Sequence, residues 1–405
     1  MGKQSRLKKL RRLQKTASIT QTLSDIEVAD DYREQQQRRF SKIDPNILTQ
    51  KFIRRWPECL QHLHKTFPHT AELDITLDIA LGHLSKTKLV TKYDEPLTHQ
   101  EVTYFSDLVN SAVLRIGLPM YGGISVGAIH SEGIEAMQQK VMLTEASVVM
   151  INANLSLAMY RLAKLLALTT PITIFPHEKY KISESLEEYK EKYANDQTLK
   201  QNWMQFFYDY AYDRKNPGKG SAISLPTVQC ASFLEDLYES LFVFVIAHEY
   251  SHHIAKHTLE YASASGECID IAHQKELEAD MLGTHICMEV GGHSEVDNIS
   301  CFTTIGIPTL FSVLEMFRIG EKILLTGKID ESPTRSTHPS PSIRIRAIRQ
   351  VISELYPEGI DTITRMQDMF HNLICYIWED AKITLLSAHS KGVRPLINKN
   401  TDWLP

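Results

Sequence analysis

The stretch Leu241-Phe242-Val243-Phe244-Val245-Ile246-Ala247-His248-Glu249-Tyr250-Ser251-His252 organises the reading of this chain. A helix that is apolar nearly all round belongs in an interior. Ionisable side chains that follow such a run inward need partners there. Ser232 with Glu235 has the form of a capping box, so the spacing predicts a helix from about Phe233 to about His257. On that helix His248 and His252 are four residues apart, slightly more than one turn, and their imidazoles face the same way. They can grip one metal ion, with Glu249 placed to take a proton from metal-activated water. With 17 histidines in the chain, an HExxH match alone is weak, and its buried context is what gives it weight.

A tetrahedral zinc with one open position needs a third protein ligand. The best candidate lies in Lys275-Glu276-Leu277-Glu278-Ala279-Asp280. Glu276 and Asp280 share a helical face, and small Ala279 lets that face approach the first helix. Glu276 is the expected ligand. Asp280 is placed to hydrogen-bond a ligand histidine and fix its tautomer. Glu278 sits about 200° round the helix from Glu276 and is the weaker candidate. Farther on, Ser340 and Pro341 make a helix start, with His338 in the turn before it.

These elements, in this order, resemble the zinc metallopeptidase family that contains the CAAX prenyl proteases and the HtpX heat-shock proteases, within the gluzincins. The family pattern is HExxH, a further histidine after four residues, ExxxD, and a THP-xxxx-RI stretch. Here these read His248 to His252 with His257, Glu276 to Asp280, and Thr337-His338-Pro339 with Arg344-Ile345. The resemblance implies zinc on His248, His252 and Glu276, with Glu249 as general base. It also implies Asp280 and Arg344 as supports of the site and His338 as an aid to the transition state. It further implies an edge strand for substrate, matched by Ala146 to Leu155 and centred on Val148, Val149, Met150, Ile151 and Asn152, followed by a helix over Ser156 to Ala167. Family members of the best-known type are membrane-embedded, which this chain is not expected to be. A more distant likeness is to phage-exclusion and phage-regulator gluzincins.

Composition limits the alternatives. A chain of 405 residues with 43% apolar content can bury a large core. A net charge of −5 argues against nucleic acid as the main partner, apart from the basic start, where Met1 to Lys15 carries seven Lys or Arg. Six cysteines without regular spacing, and no signal peptide, read as reduced thiols in a cytoplasmic protein. No segment reaches about 18 uncharged apolar residues, so no transmembrane helix is expected.

The expected fold is mainly α (α+β), a zincin-like helical core with a small sheet at the rim of the site. Residues 1–43 read as a basic, solvated tail, and 44–225 as a helical region with rim strands between about 124 and 155. Within that region, 176–225 is a charged and aromatic insertion. Residues 226–390 form the metallopeptidase core and 391–405 a tail. In 44–92, Phe52, Trp56, Leu60 and Leu63 form one helical stripe. Gly122, Gly123 and Gly127 lack the spacing of a phosphate loop and read as a turn into a strand. The functional expectation is a zinc endopeptidase with one Zn2+ per chain, acting on a protein or peptide. The alternative is a regulatory or phage-defence protein with a degenerate or partner-triggered site.

Overall fold

The computed structural model describes residues 25–40, 89–94, 96–129, 133–174, 180–215, 217, 225–257, 269–293, 298–330 and 338–396. The basic run of residues 1–15 and the stripe expected over 44–92 lie outside the described residues, apart from 89–92. The chain is mostly helical with a small sheet. In chain order the elements are α1 (25–40), α2 (Pro96–Arg115), β1 (Ile124–Ile129), β2 (Ala136–Lys140), β3 (Ser147–Asn152) and α3 (Ala153–Thr169). There follow β4 (Ile172–Ile174), β5 (Tyr180–Ile182), α4 (Leu186–Asn195), α5 (Gln197–Tyr212) and α6 (Val228–Ile254). The last are α7 (Ile269–His293), α8 (Ile299–Phe302), α9 (Gly306–Thr326), α10 (Pro341–Leu355) and α11 (Ile360–Ser390). No helix among the described residues is long and apolar enough to cross a membrane.

The helix carrying HExxH begins earlier than the capping-box reading places it. Thr227 is the N-cap, its hydroxyl accepting from the Cys230 amide at 3.1 Å. Ser232 and Glu235 lie inside the helix. Every residue from Leu241 to Tyr250 is buried, as an all-round apolar helix requires.

One hydrophobic cluster joins the two regions that the sequence reading separates. It takes Val102 from α2, Val149 from β3, Trp203, Phe206 and Phe207 from α5, Phe242 from α6, Phe317 from α9 and Trp378 from α11. The aromatic insertion is therefore core: Trp203, Phe206 and Tyr210 are fully buried and pack as edge-to-face and stacked rings around Phe317.

The three-stranded sheet has the order β1-β3-β2, with β1 parallel and β2 antiparallel to β3. The strand expected at the edge, Val148 to Asn152, is thus central. All six residues of β3 are buried. Val149 and Ile151 face the main core, while Val148 and Met150 face a second cluster with Ala29 of α1. Burial on both faces explains the unbroken Val-Val-Met-Ile run, since a strand with one wet face alternates.

Residues 25–40 are likewise not a solvated tail. Arg33 and Gln37 of α1 reach the outer edge of β1, where Arg33 donates to the Val126 carbonyl and Gln37 to the Ala128 carbonyl. Asp94 accepts from the Ala128 amide at 3.2 Å and pairs with Arg33 at 3.5 Å, both side chains fully buried. A Cβ at Gly127 would collide with Arg33 and Asp94, so the glycine makes room for this plug. Side chains cover much of the β1 edge, and among the described residues no strand pairs with the outer edge of β2.

Candidate metal centre

Two helices and one turn build the site. On α6, His248 and His252 lie one turn apart, their Nε2 atoms separated by 3.2 Å. On α7, Glu276 places Oε2 3.3 Å from His248 Nε2 and Oε1 3.4 Å from His252 Nε2. These three side chains are the one group among the described residues that could hold a metal ion, their donor atoms lying within 4.8 Å of one another. The helices come close because small residues face each other. Ala279 is fully buried, and a Cβ at Gly283 would lie 3.1 Å from the His248 amide nitrogen. Gly283 adds a second contact point, one turn beyond Ala279 on the same face.

The donor set suits zinc. A tetrahedron with bonds of about 2.05 Å has edges of about 3.3 Å; the two imidazole nitrogens lie 3.2 Å apart, and Glu276 offers one oxygen near each of them. Glu276 Oε2 is buried, with the His248 and His338 Nε2 atoms at 3.3 and 3.1 Å as its neighbours.

The electrostatics agree. Burial alone would push the His248 pKa down, but the Asp280 and Glu276 carboxylates outweigh it and raise it to about 10. Burial, followed by repulsion from His248, pushes His252 down to about 3, which leaves that ring neutral and its lone pair available. Burial would raise Glu276, but hydrogen bonding with His248 and His338 holds it well below the usual carboxylate range.

Asp280 is fully buried and lies 3.0 Å from His248 Nδ1. It also receives two bonds of 2.7 Å from Arg344 of α10. Burial opposes its ionisation, and Arg344 more than compensates, so its pKa lies below the usual value. Arg344 is itself held by the Phe311 ring, 3.9 Å from its guanidinium carbon, a contact the sequence pattern does not announce. His338 sits in the turn before α10, its Nε2 3.1 Å from Glu276 Oε2. The chain segments around 248, 276, 338 and 344 therefore converge on one place.

Glu249 is buried beside His248. Burial, with a smaller push from Glu276, raises its pKa to about 7. The Gln138 backbone amide of β2 faces its carboxylate and works against that rise. The register explains why. The bonds Asn152 N–H to Glu135 O and Val141 N–H to Ala146 O, 3.0 Å each, turn the odd-numbered residues of β2 toward β3. Alternation then sends the amides and carbonyls of Ala136, Gln138 and Lys140 out along the open edge. Residues 148–152, expected to present that edge, lie one strand behind it. Gln138 Nε2 donates to Ser147 Oγ at 2.7 Å, and Ser147 Oγ contacts His253 Nδ1 at 2.8 Å, which ties the edge strand to α6.

No protein-family model, curated protein or solved structure matches this chain. The likeness to gluzincins rests on the residues named above.

Proposed function

We propose that this chain is a zinc-dependent endopeptidase with a single zinc ion on His248, His252 and Glu276. The observation that carries the reading is the convergence of two α6 imidazoles and one α7 carboxylate within 4.8 Å, directly beside a buried glutamate that borders an open strand edge. Bound zinc would supply a Lewis acid and a water of lowered pKa. Glu249 is placed to take a proton from an attacking water and return it to the leaving amine, which is the work of a general base turned acid. The substrate backbone pairs with the outward groups of Ala136 and Lys140 and with the Gln138 carbonyl as an added strand, while the Gln138 amide stays on Glu249. That pairing aligns the scissile carbonyl off the edge, next to Glu249. His338, close to Glu276, donates to the developing oxyanion, a contribution typically worth about 3 kcal/mol. Asp280 and Arg344 hold the His248 ring. A reducing cytoplasmic setting fits the irregular cysteine pattern.

The test measures zinc by atomic absorption and cleavage of an unfolded protein by wild type and Glu249→Gln. The expected result is equal zinc in both and a loss of cleavage of about 10²- to 10⁴-fold in the variant. Bound zinc with no Glu249-dependent cleavage would mark a structural or regulatory metal centre instead.

A further inference from the structure

We infer that His257 and Glu278 are positioning residues for the His252 ligand, holding its ring in the one tautomer that leaves Nε2 free for the cation; the inference rests on the proposed zinc site.

The geometry begins at the end of α6. After Ile254 the chain takes one more helical residue, Ala255, whose amide donates to the Ser251 carbonyl at 2.9 Å. Lys256 then adopts a left-handed backbone with φ 58°. For a side chain with a Cβ this costs about 1–2 kcal/mol, and glycine is the usual occupant. Lys256 is held there with its ammonium 3.7 Å from the centroid of the Tyr121 ring. The reversal folds His257 back across the last turn, where it is buried. Its Nδ1 lies 2.9 Å from His252 Nδ1 and its Nε2 lies 3.1 Å from Glu278 Oε2.

This chain of contacts has one consistent direction. A carboxylate only accepts, so His257 must carry its hydrogen on Nε2. A neutral ring with Nε2–H has a lone pair on Nδ1, which accepts from His252 Nδ1–H. His252 is then left with its lone pair on Nε2, the atom that faces His248 and Glu276. His248 is oriented by a carboxylate directly, through Asp280 Oδ1 at 3.0 Å from Nδ1. His252 is oriented through a relay imidazole. Glu276, Glu278 and Asp280 are neighbours on α7, so one short segment supplies a ligand and anchors both ligand histidines. Glu278 points away from the ligand face of α7 and reaches the site only because His257 wraps round to meet it.

The test uses the 405-residue chain, with zinc affinity measured by competition against a chromophoric chelator and a visible spectrum recorded after loading with cobalt. His257→Phe removes the acceptor and should weaken zinc about 10- to 100-fold, the usual effect of losing a partner of a ligand histidine. His257→Asn offers an oxygen near the former Nδ1 and should recover most of that loss. Glu278→Ala should weaken zinc in the same direction by a smaller factor and shift the cobalt bands, whereas Glu278→Gln should stay near wild type. A folded His257→Phe with wild-type zinc affinity would overturn the inference. Should His257→Phe not fold, Glu278→Ala decides, because its side chain is 60% exposed; wild-type affinity with an unshifted cobalt spectrum would then overturn it. A wild-type chain that binds no zinc would overturn the metal site, and this inference with it. Zinc-loaded wild type with indifferent variants would leave the metal site standing and refute the relay alone.

Discussion

Replacing Arg344 by Met tests the scaffold of the site without touching a ligand. The substitution keeps most of the side-chain volume and deletes the guanidinium. Asp280, with none of its surface exposed, then loses two charge-assisted bonds of 2.7 Å. Removing one member of a buried ion pair costs about 3–5 kcal/mol. Asp280 keeps the His248 ring at 3.0 Å, which favours the lower end. Loss of the stacking on Phe311, at 3.9 Å, adds about 1 kcal/mol. The expected destabilisation is therefore about 3–4 kcal/mol near pH 7. Urea unfolding in the presence of a chelator reads it without any metal contribution. The pair Arg344→Met/Asp280→Asn should cost less than the sum of the single changes by about 1 kcal/mol or more. Arg344 holds the Asp280 pKa below the usual value, so the stability it supplies is present above the unfolded pKa. It fades as pH falls through the folded one. The gap between wild type and variant should accordingly narrow below about pH 4. A loss under about 1 kcal/mol at pH 7, or strict additivity in the double variant, would refute the buried-pair reasoning.

Three further outcomes are expected. Glu276→Gln should fold like wild type but retain no stoichiometric zinc after gel filtration, while Glu278→Gln retains it; zinc on both would point to a different ligand set. Gly283→Val should destabilise by about 1–3 kcal/mol through overpacking and weaken zinc, because even a Cβ at this position would lie 3.1 Å from the His248 amide; unchanged chelator competition would show that the α6–α7 approach does not set the ligand geometry. Asp236 lies far along α6 from the site, and burial, helped by Glu239 and Glu235, pushes its pKa up to about 6. The folded state thus prefers the neutral acid, and its ionisation lowers stability as pH rises from about 4 to about 6. After discounting for its partial exposure, Asp236→Asn should gain about 1 kcal/mol at pH 7 and nothing at pH 4. A difference that stays flat with pH would contradict this.

The candidate metal site was more legible in the sequence than its surroundings because its signals are local. His248 and His252 are fixed by helical periodicity alone, and Glu276 with Asp280 by the same four-residue step on a second helix. Which helix faces which is not local. The apolar run before His248 announces burial but not the partner, and Gly283 reads as a mild helix defect until α7 is seen pressed on α6. Arg344 follows from a motif, while the Phe311 ring beneath it follows only from packing. The relay through His257 depends on a left-handed Lys256, a conformation that residue type argues against. The misplaced helix start has a similar origin: Ser232 and Glu235 have capping chemistry, but Thr227 lies where the chain actually turns in.

The sheet shows how a correct strand can be given the wrong place. Val148-Val149-Met150-Ile151 was legible as a strand, and its lack of alternation already argued for burial on both faces. The polar neighbour Ala136-Met137-Gln138-Gln139-Lys140 carries weak strand propensity and is easily passed over. Yet polarity is what an exposed edge requires, since an apolar open edge would invite aggregation. Two covers decide the outcome. Helix α1 shields one face of β3 and, with Asp94, plugs the β1 edge; the Gln138–Ser147–His253 bonds clamp β2 against α6. The backbone groups of Ala136, Gln138 and Lys140 point outward from the sheet, and the Gln138 amide faces the Glu249 carboxylate. The same clamp through Ser147 and His253 holds Gln138 at this place on α6.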